Sequence, residues 1–199
     1  MEADGWNFEN DFLQILNPST CLNDKTVVWL TESEAVEGGV GDKAGWYDAF
    51  EYTYEGDSQF DLGSGFLTSC GSAGVKFTSA GEVYDKAFTL ICPGAYTVIP
   101  NALPRSIKLG EISAKGWNYE NDFLQKLNPA SCLNDKTFVW LTEEEAVGGG
   151  VGTTAGWYDA FEYTYEGDNI EMKPGEGFLT NLGSSGIQFN FPKAVPAKE

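Results

Sequence analysis

The sequence predicts an all-β protein, mostly antiparallel, with one short helix per repeat, built as two pseudo-equivalent β-sandwich or barrel units. Three observations predict it. The composition is rich in aromatics (14%), with 24 Gly and six Trp in 199 residues, which suits packed strands and tight turns and is the opposite of a disordered chain. The chain repeats itself: Gly5–Asp57 laid on Gly116–Asp168 matches at 44 of 53 positions, so one unit is present twice. Finally, apolar and polar residues alternate with period two in several stretches bounded by Gly, Asn, Asp and Pro.

The elements follow in order. ENDFLQILNP and ENDFLQKLNP predict a short helix, with Asn10 or Asp11 capping it, Phe12, Leu13 and Leu16 apolar, and Pro18 ending it. KTVVWLT (25–31) predicts a strand. TESEAV and TEEEAV form capping boxes from Thr31 to Glu34 and from Thr142 to Glu145, hence one helical turn each. EGGVGDKAG and GGGVGTTAG are loops; without a Lys-Ser/Thr ending or a long helix they are not phosphate loops. Then comes AGWYDAFEYTYEGD, identical at 44–57 and 155–168. Read as one strand, it puts Trp46, Asp48, Phe50, Tyr52 and Tyr54 on one face, with Tyr47, Ala49, Glu51, Thr53 and Glu55 on the other. GFLTS with GVKFT, and GFLTN with GIQFN, predict hairpins across GSAG and GSSG. AFTLICPG and AYTVIPN predict a further strand pair.

The expected organisation is a first unit at 1–80, a connecting or opening segment at 81–115, and a second unit at 116–199. The opening segment occurs once, after the first copy, so the first unit lacks its own. A β-fold short of its opening strands exposes edges and core. Two outcomes remain open: the copies share the segment in one merged sheet, or another chain supplies strands by β-addition. The second makes a head-to-tail subunit, and such contacts close into rings or run on as filaments.

Charge and composition exclude several functions. With 30 acids against 12 bases, net −18, the surface repels phosphate backbones, so no nucleic acid is expected as a partner. No histidine occurs, which removes Ser-His-Asp and Cys-His catalysis and the usual neutral-pH proton shuttle. Thirty acids make accidental carboxylate pairs inevitable, so a glycosidase pair carries no weight; no enzyme is expected. Cys21, Cys70, Cys92 and Cys132 are even in number without a CxxC, leaving two disulfides or four thiols open. The apolar runs fall short of a membrane span, so no insertion is expected. MEADGW lacks a basic start and an apolar core, so a leader is not expected there.

The candidate site residues lie in the repeated string. Trp46, Tyr47, Trp157 and Tyr158 would stack on a sugar ring if the string binds glycans; otherwise they are core. Asp48 and Asp159 interrupt an aromatic face, and with Asp57 and Asp168 they are the candidate ligands for a Ca²⁺ ion, a hard cation that takes oxygen donors. The competing reading is a carboxylate hydrogen-bonded at a strand start or bulge. Apart from that Ca²⁺, no cofactor is expected.

KPGEGFLTNLGSSGIQF (173–189), DLGSGFLTSCGSAGVKFTSAGEV (61–83) and AYTVIPNALPRSIKLGEI (95–112) resemble tandem β-domains of secreted or surface bacterial proteins, with a PGxGF…G…F…GEV ending. The resemblance implies an extracellular or cell-surface, non-enzymatic role, and a unit running from near Gly81 to near Phe191. The expected function is thus a structural protein that self-assembles through strand edges into a filament or array. The alternative is a carbohydrate- or calcium-dependent binding module.

Overall fold

A computed structural model of the chain describes residues 2–17, 23–56, 66–78, 86–92, 95–128 and 133–194. They group into two compact units, residues 2–17, 23–56 and 66–78 in the first and the remainder in the second. Both are mostly β with one short α-helix each, every strand pairing is antiparallel, and neither forms a closed barrel.

The first unit holds β1 (Glu2–Asp4), β2 (Asp11–Leu16), β3 (Asn23–Leu30), α1 (Glu32–Glu37), β4 (Gly45–Asp48), β5 (Leu67–Cys70) and β6 (Lys76–Thr78). They make a four-stranded sheet in the order β4-β3-β2-β5 and a separate pair, β1-β6. The second unit holds β7 (Phe88–Ile91), β8 (Val98–Pro100), β9 (Ile107–Lys108), β10 (Ser113–Lys115), β11 (Asp122–Leu127), β12 (Asn134–Leu141), α2 (Glu143–Gly148), β13 (Gly156–Asp159), β14 (Glu171–Met172), β15 (Gly177–Leu182) and β16 (Gln188–Phe191). Its sheets run β13-β12-β11-β15-β8, β10-β16-β7 and β14-β9.

The strand at 25–31 and both capping boxes are where the sequence puts them. Thr31 N–H donates to Glu34 Oε2 at 2.7 Å while Glu34 N–H donates back to Thr31 Oγ1 at 3.3 Å, and Thr142 with Glu145 repeats the exchange at 2.7 and 3.2 Å. Four expectations are corrected. The helix at ENDFLQ is instead β2, and β11 in the second copy. Burial there alternates: Asp11 and Leu13 are fully buried, while Phe12 packs on the opposite face among Val28, Leu30 and Tyr47. The polar residues ahead of it form a turn, with Asn10 N–H and Asp11 N–H both donating to Asn7 O.

The fourteen-residue string is not one strand. β4 ends at Asp48, the chain turns, and Tyr54 comes back to bridge Tyr47. Trp46 and Tyr47 are therefore both buried, on opposite faces, whereas Phe50 at the turn is 78% exposed. Gly45 is required by this return: a Cβ there would meet Tyr54 Cε2 at 2.6 Å, and Gly156 stands in the same relation to Tyr165.

Neither expected hairpin forms. β5 pairs with β2 while β6 pairs with β1; β15 pairs with β11 and β8 while β16 pairs with β10 and β7. The Gly-Ser segments carry the chain from one sheet to another, because Gly71 N–H donates to Asn10 O at 3.2 Å and Ser72 N–H to Asp11 Oδ1 at 2.8 Å. Likewise AFTLI and AYTVI do not pair with each other. They add to two different sheets of the second unit, as β7 on β16 and β8 on β15.

Candidate functional site

Two faces of the main sheet behave differently. On the helix side the units are alike: Val28, Leu30, Ala35 and Tyr47 form one buried cluster, and Val139, Leu141, Ala146 and Tyr158 form its counterpart. The Tyr hydroxyls donate to Lys43 O at 2.8 Å and Thr154 O at 2.7 Å. This cluster is closed by local sequence alone.

The other face of the second unit is closed by the opening segment. Cys92, Ile99, Leu103, Ile107, Leu109 and Ile112 enter one continuous core with Phe138, Trp157, Phe178, Ile187 and Phe189. Several of the polar groups that come with them are hydrogen-bonded. Asn101 Nδ2 donates to Arg105 O (2.8 Å) and Met172 O (2.9 Å), and its Oδ1 accepts from Leu103 N–H (3.0 Å). Arg105 forks onto Glu111 (3.1 and 2.7 Å) and donates through Nε to Ala194 O (2.9 Å). That hydrogen-bonded guanidinium holds the Glu111 carboxyl below its usual value. Trp157 Nε1 donates to Ile112 O at 2.7 Å. At the sheet edge, Thr180 N–H donates to Thr97 O (2.8 Å) and Leu182 N–H to Ala95 O (2.9 Å), while Thr97 N–H donates to Thr180 Oγ1 (2.8 Å).

The first unit has the same edge without the segment. β5 sits at the end of its sheet and β6 at the end of its pair, each with no second neighbour among the described residues. Pairing of β5 with β2 follows the register of β15 with β11, Cys70 opposite Asp11 as Leu182 is opposite Asp122. The N–H groups of Thr68 and Cys70 therefore face outward, away from β2, as those of Thr180 and Leu182 do. Burial follows suit. Phe178, Thr180, Leu182 and Ile187 are buried, whereas Phe66 and Val75 are half-buried and Thr68 and Cys70 exposed. Leu13, Val27 and Trp46 make the buried cluster left on this face. The merged sheet, one of the two outcomes left open by the sequence, is not formed among the described residues, since β7 and β8 pair within the second unit.

Trp46, Tyr47, Trp157 and Tyr158 are buried and offer a ligand no surface. Trp46 stands edge-on to Trp6 and Trp29 with centroids 5.2 and 5.4 Å apart, and Trp157 stands likewise to Trp117 and Trp140 at 5.0 and 5.3 Å. Asp48 Oδ1 accepts from Phe50 N–H and Glu51 N–H, both at 2.8 Å, and Asp159 Oδ1 accepts from Phe161 N–H (2.8 Å) and Glu162 N–H (2.9 Å). The Glu51 and Phe50 N–H groups lower the Asp48 pKa. These carboxylates thus organise turns, and the turns hold Tyr52 and Tyr163 at φ 54°, a conformation costly for a non-glycine residue. Asp168 is exposed and Asp57 lies outside the described residues. No cluster of three or more acidic or thiol side chains suited to a metal occurs among the described residues. Cys70 and Cys92 are free thiols, the first exposed, the second pushed up to about 12 by burial; Cys21 and Cys132 lie outside the described residues. No described helix is long and apolar enough to cross a membrane.

The sequence reading missed Asp11 and Asp122. Each is wholly buried, and its two oxygens accept from two separate turns: Asn7 N–H (2.8 Å) and Ser72 N–H (2.8 Å), or Asn118 N–H (2.6 Å) and Ser184 N–H (2.8 Å). Burial alone would raise the Asp11 pKa, but the backbone donors outweigh it and the value is lowered. The signal was an aspartate on an otherwise apolar strand, disguised as a helix cap.

Compared with family models, curated proteins and solved structures, the chain matches none.

Proposed function

We propose that this chain is a non-catalytic structural protein of the cell surface or extracellular space. Its two pseudo-equivalent β-sandwich units join further copies through strand edges into a filament or array. One observation carries the reading: among the described residues β5 and β6 end their sheets, while β15 and β16, in the same register, are each paired on both sides. An open edge with outward N–H and C=O groups is a template for another strand, and natural edges are usually blunted. The lack of histidine and the net charge of −18 favour a structural over a catalytic role and suit a salt-screened setting. Light scattering behind size exclusion, with negative-stain imaging of the leading peak, tests the reading. Defined oligomers or filaments that grow with concentration are expected. A 21.7 kDa species at every concentration would overturn it.

A carbohydrate-binding module is the second reading, favoured by the duplicated turn that exposes Phe50 and Phe161 beside Tyr52 and Tyr163. A glycan array gives the discriminating result: binding that Phe50→Ser with Phe161→Ser abolishes would bring this reading forward, and a blank array would remove it.

A further inference from the structure

We propose that the groove between helix α1 and the Asp48–Tyr52 turn of the first unit binds a small organic ammonium ion, free in solution and of the chemistry of choline. The groove lies on the helix side of the sheet, and neither β5 nor β6 lines it, so the site is separate from the strand edges.

The groove encloses about 430 Å³, a size suited to a small molecule. Phe8, Leu30 and Val40 give it an apolar lining, Tyr52 an aromatic wall, and Glu34 and Glu37 bring two carboxylates to it. Among the described residues no base lines it. An apolar bed with an aromatic face and two negative charges matches a cation carried on an alkyl-covered body, which the ring attracts through its quadrupole and the carboxylates through their charge. An anion would be repelled. A neutral sugar would displace water from two charges without compensating them.

The polar and aromatic groups are held in place before any ligand arrives. Thr31 N–H and Thr31 Oγ1 both donate to Glu34 Oε2 at 2.7 Å, and Ser33 Oγ donates to Glu37 Oε1 at 3.3 Å. Tyr52 is placed at a cost. Its φ of 54° suits a glycine, yet Tyr stands there in both copies of the turn. The ring is 42% exposed, so filling the core does not account for it, and strain of this kind belongs with sites that bind. Two residues further on, Lys43 Nζ lies 5.8 Å from the centre of the Tyr54 ring, so the same string already seats one cation on an aromatic face.

The second unit supplies an internal comparison. Tyr119, Leu141, Glu145, Val151 and Tyr163 stand at the positions of Phe8, Leu30, Glu34, Val40 and Tyr52, but Gly148 stands where the first unit has Glu37. With one lining carboxylate fewer, those residues hold a cation more weakly. The net charge of −18 raises the cation concentration around both units, and added salt reduces this.

The test titrates choline into the full-length chain and follows amide NMR shifts, with dimethylbutanol, in which carbon replaces the nitrogen, as the uncharged control of the same shape. Saturable shifts at Gly38, Val40 and Tyr52 are expected, with choline about tenfold tighter than the alcohol. Gly149, Val151 and Tyr163 should saturate only at higher choline. Tyr52→Gly suits the left-handed backbone, so it should keep or raise the urea midpoint while the shifts at Gly38 and Val40 are lost. Glu37→Gly, which copies the residue of the second unit, should weaken the first groove to the level of the second. No saturable shift at Gly38, Val40 and Tyr52, or equal binding of choline and the alcohol, overturns the proposal. Choline shifts that survive both variants overturn it as well. Shifts from a soluble oligosaccharide with none from choline would assign the groove to carbohydrate, and shifts from phosphatidylcholine vesicles with none from choline would assign it to a lipid surface; either result removes the free ammonium ligand.

Discussion

The first and second units share 44 of 53 residues in their aligned stretch, yet among the described residues only the second closes its core on both faces of the main sheet. On the helix side the clusters around Tyr47 and Tyr158 are residue-for-residue equivalents. On the far side Trp157 sits in a core built with six buried residues of the opening segment, while Trp46 is left with Leu13 and Val27 as buried neighbours. Nearly identical letters thus give unequal burial. A sheet face is a half-interface, and its energy depends on what is laid against it, since the gain scales with apolar area removed from water.

The comparison can be broken most forcefully at Phe178 and Phe66. Phe178→Ala empties a closed core and should cost about 3–5 kcal/mol. Phe66→Ala removes a half-buried ring and should cost less than half as much. Hydrogen exchange under increasing urea reads each unit separately, and equal costs would mean that the first unit is as well covered as the second.

Asp11→Asn and Asp122→Asn should behave alike, because the two-turn clasp is the same in both units. An amide keeps one acceptor and turns an NH₂ toward the other N–H, at about 1–3 kcal/mol. The pH dependence has a definite sign. Asp11 and Asp48 are depressed below the ordinary 3.8, so their stabilisation is fully present above that value and is lost as pH falls through the depressed folded values. An acid titration followed by tryptophan fluorescence should show the first unit unchanged down to about pH 4 and loosening below it. Loosening at pH 5–6 would contradict the assignment.

Thr31→Ala and Thr142→Ala each remove a capping-box hydroxyl and should cost about 1 kcal/mol, equally in the two units, by urea unfolding. Smallest of all, Phe50→Ser and Phe161→Ser should change stability by no more than about 0.5 kcal/mol, since both rings are already in solvent at 78% and 80% exposure. A larger loss would show that the turn packs against something.

Much of this was legible in the letters, and the misreadings share one cause. The β3 strand and the capping boxes are local features, and they stood. ENDFLQ was misread because a polar Asn-Asp pair ahead of Phe-Leu is compatible with a helix cap and with a turn entering a strand. Only the partners of Asp11, sixty-one residues apart along the chain at Ser72, separate the two. The aromatic string was misread because period two was continued past Asp48, where the carboxylate accepts two N–H groups and turns the chain.

The sequence by itself determined that one stretch of residues occurs twice and that each copy caps a short helix at Thr31 or Thr142. These depend on spacing, repetition and short-range hydrogen bonding. Tertiary structure alone decided that GFLT and GVKF belong to different sheets, that β7 and β8 serve the second unit, and that β5 and β6 end theirs among the described residues. Strand pairing joins residues far apart in sequence, and nothing in the pattern of a strand names its neighbour.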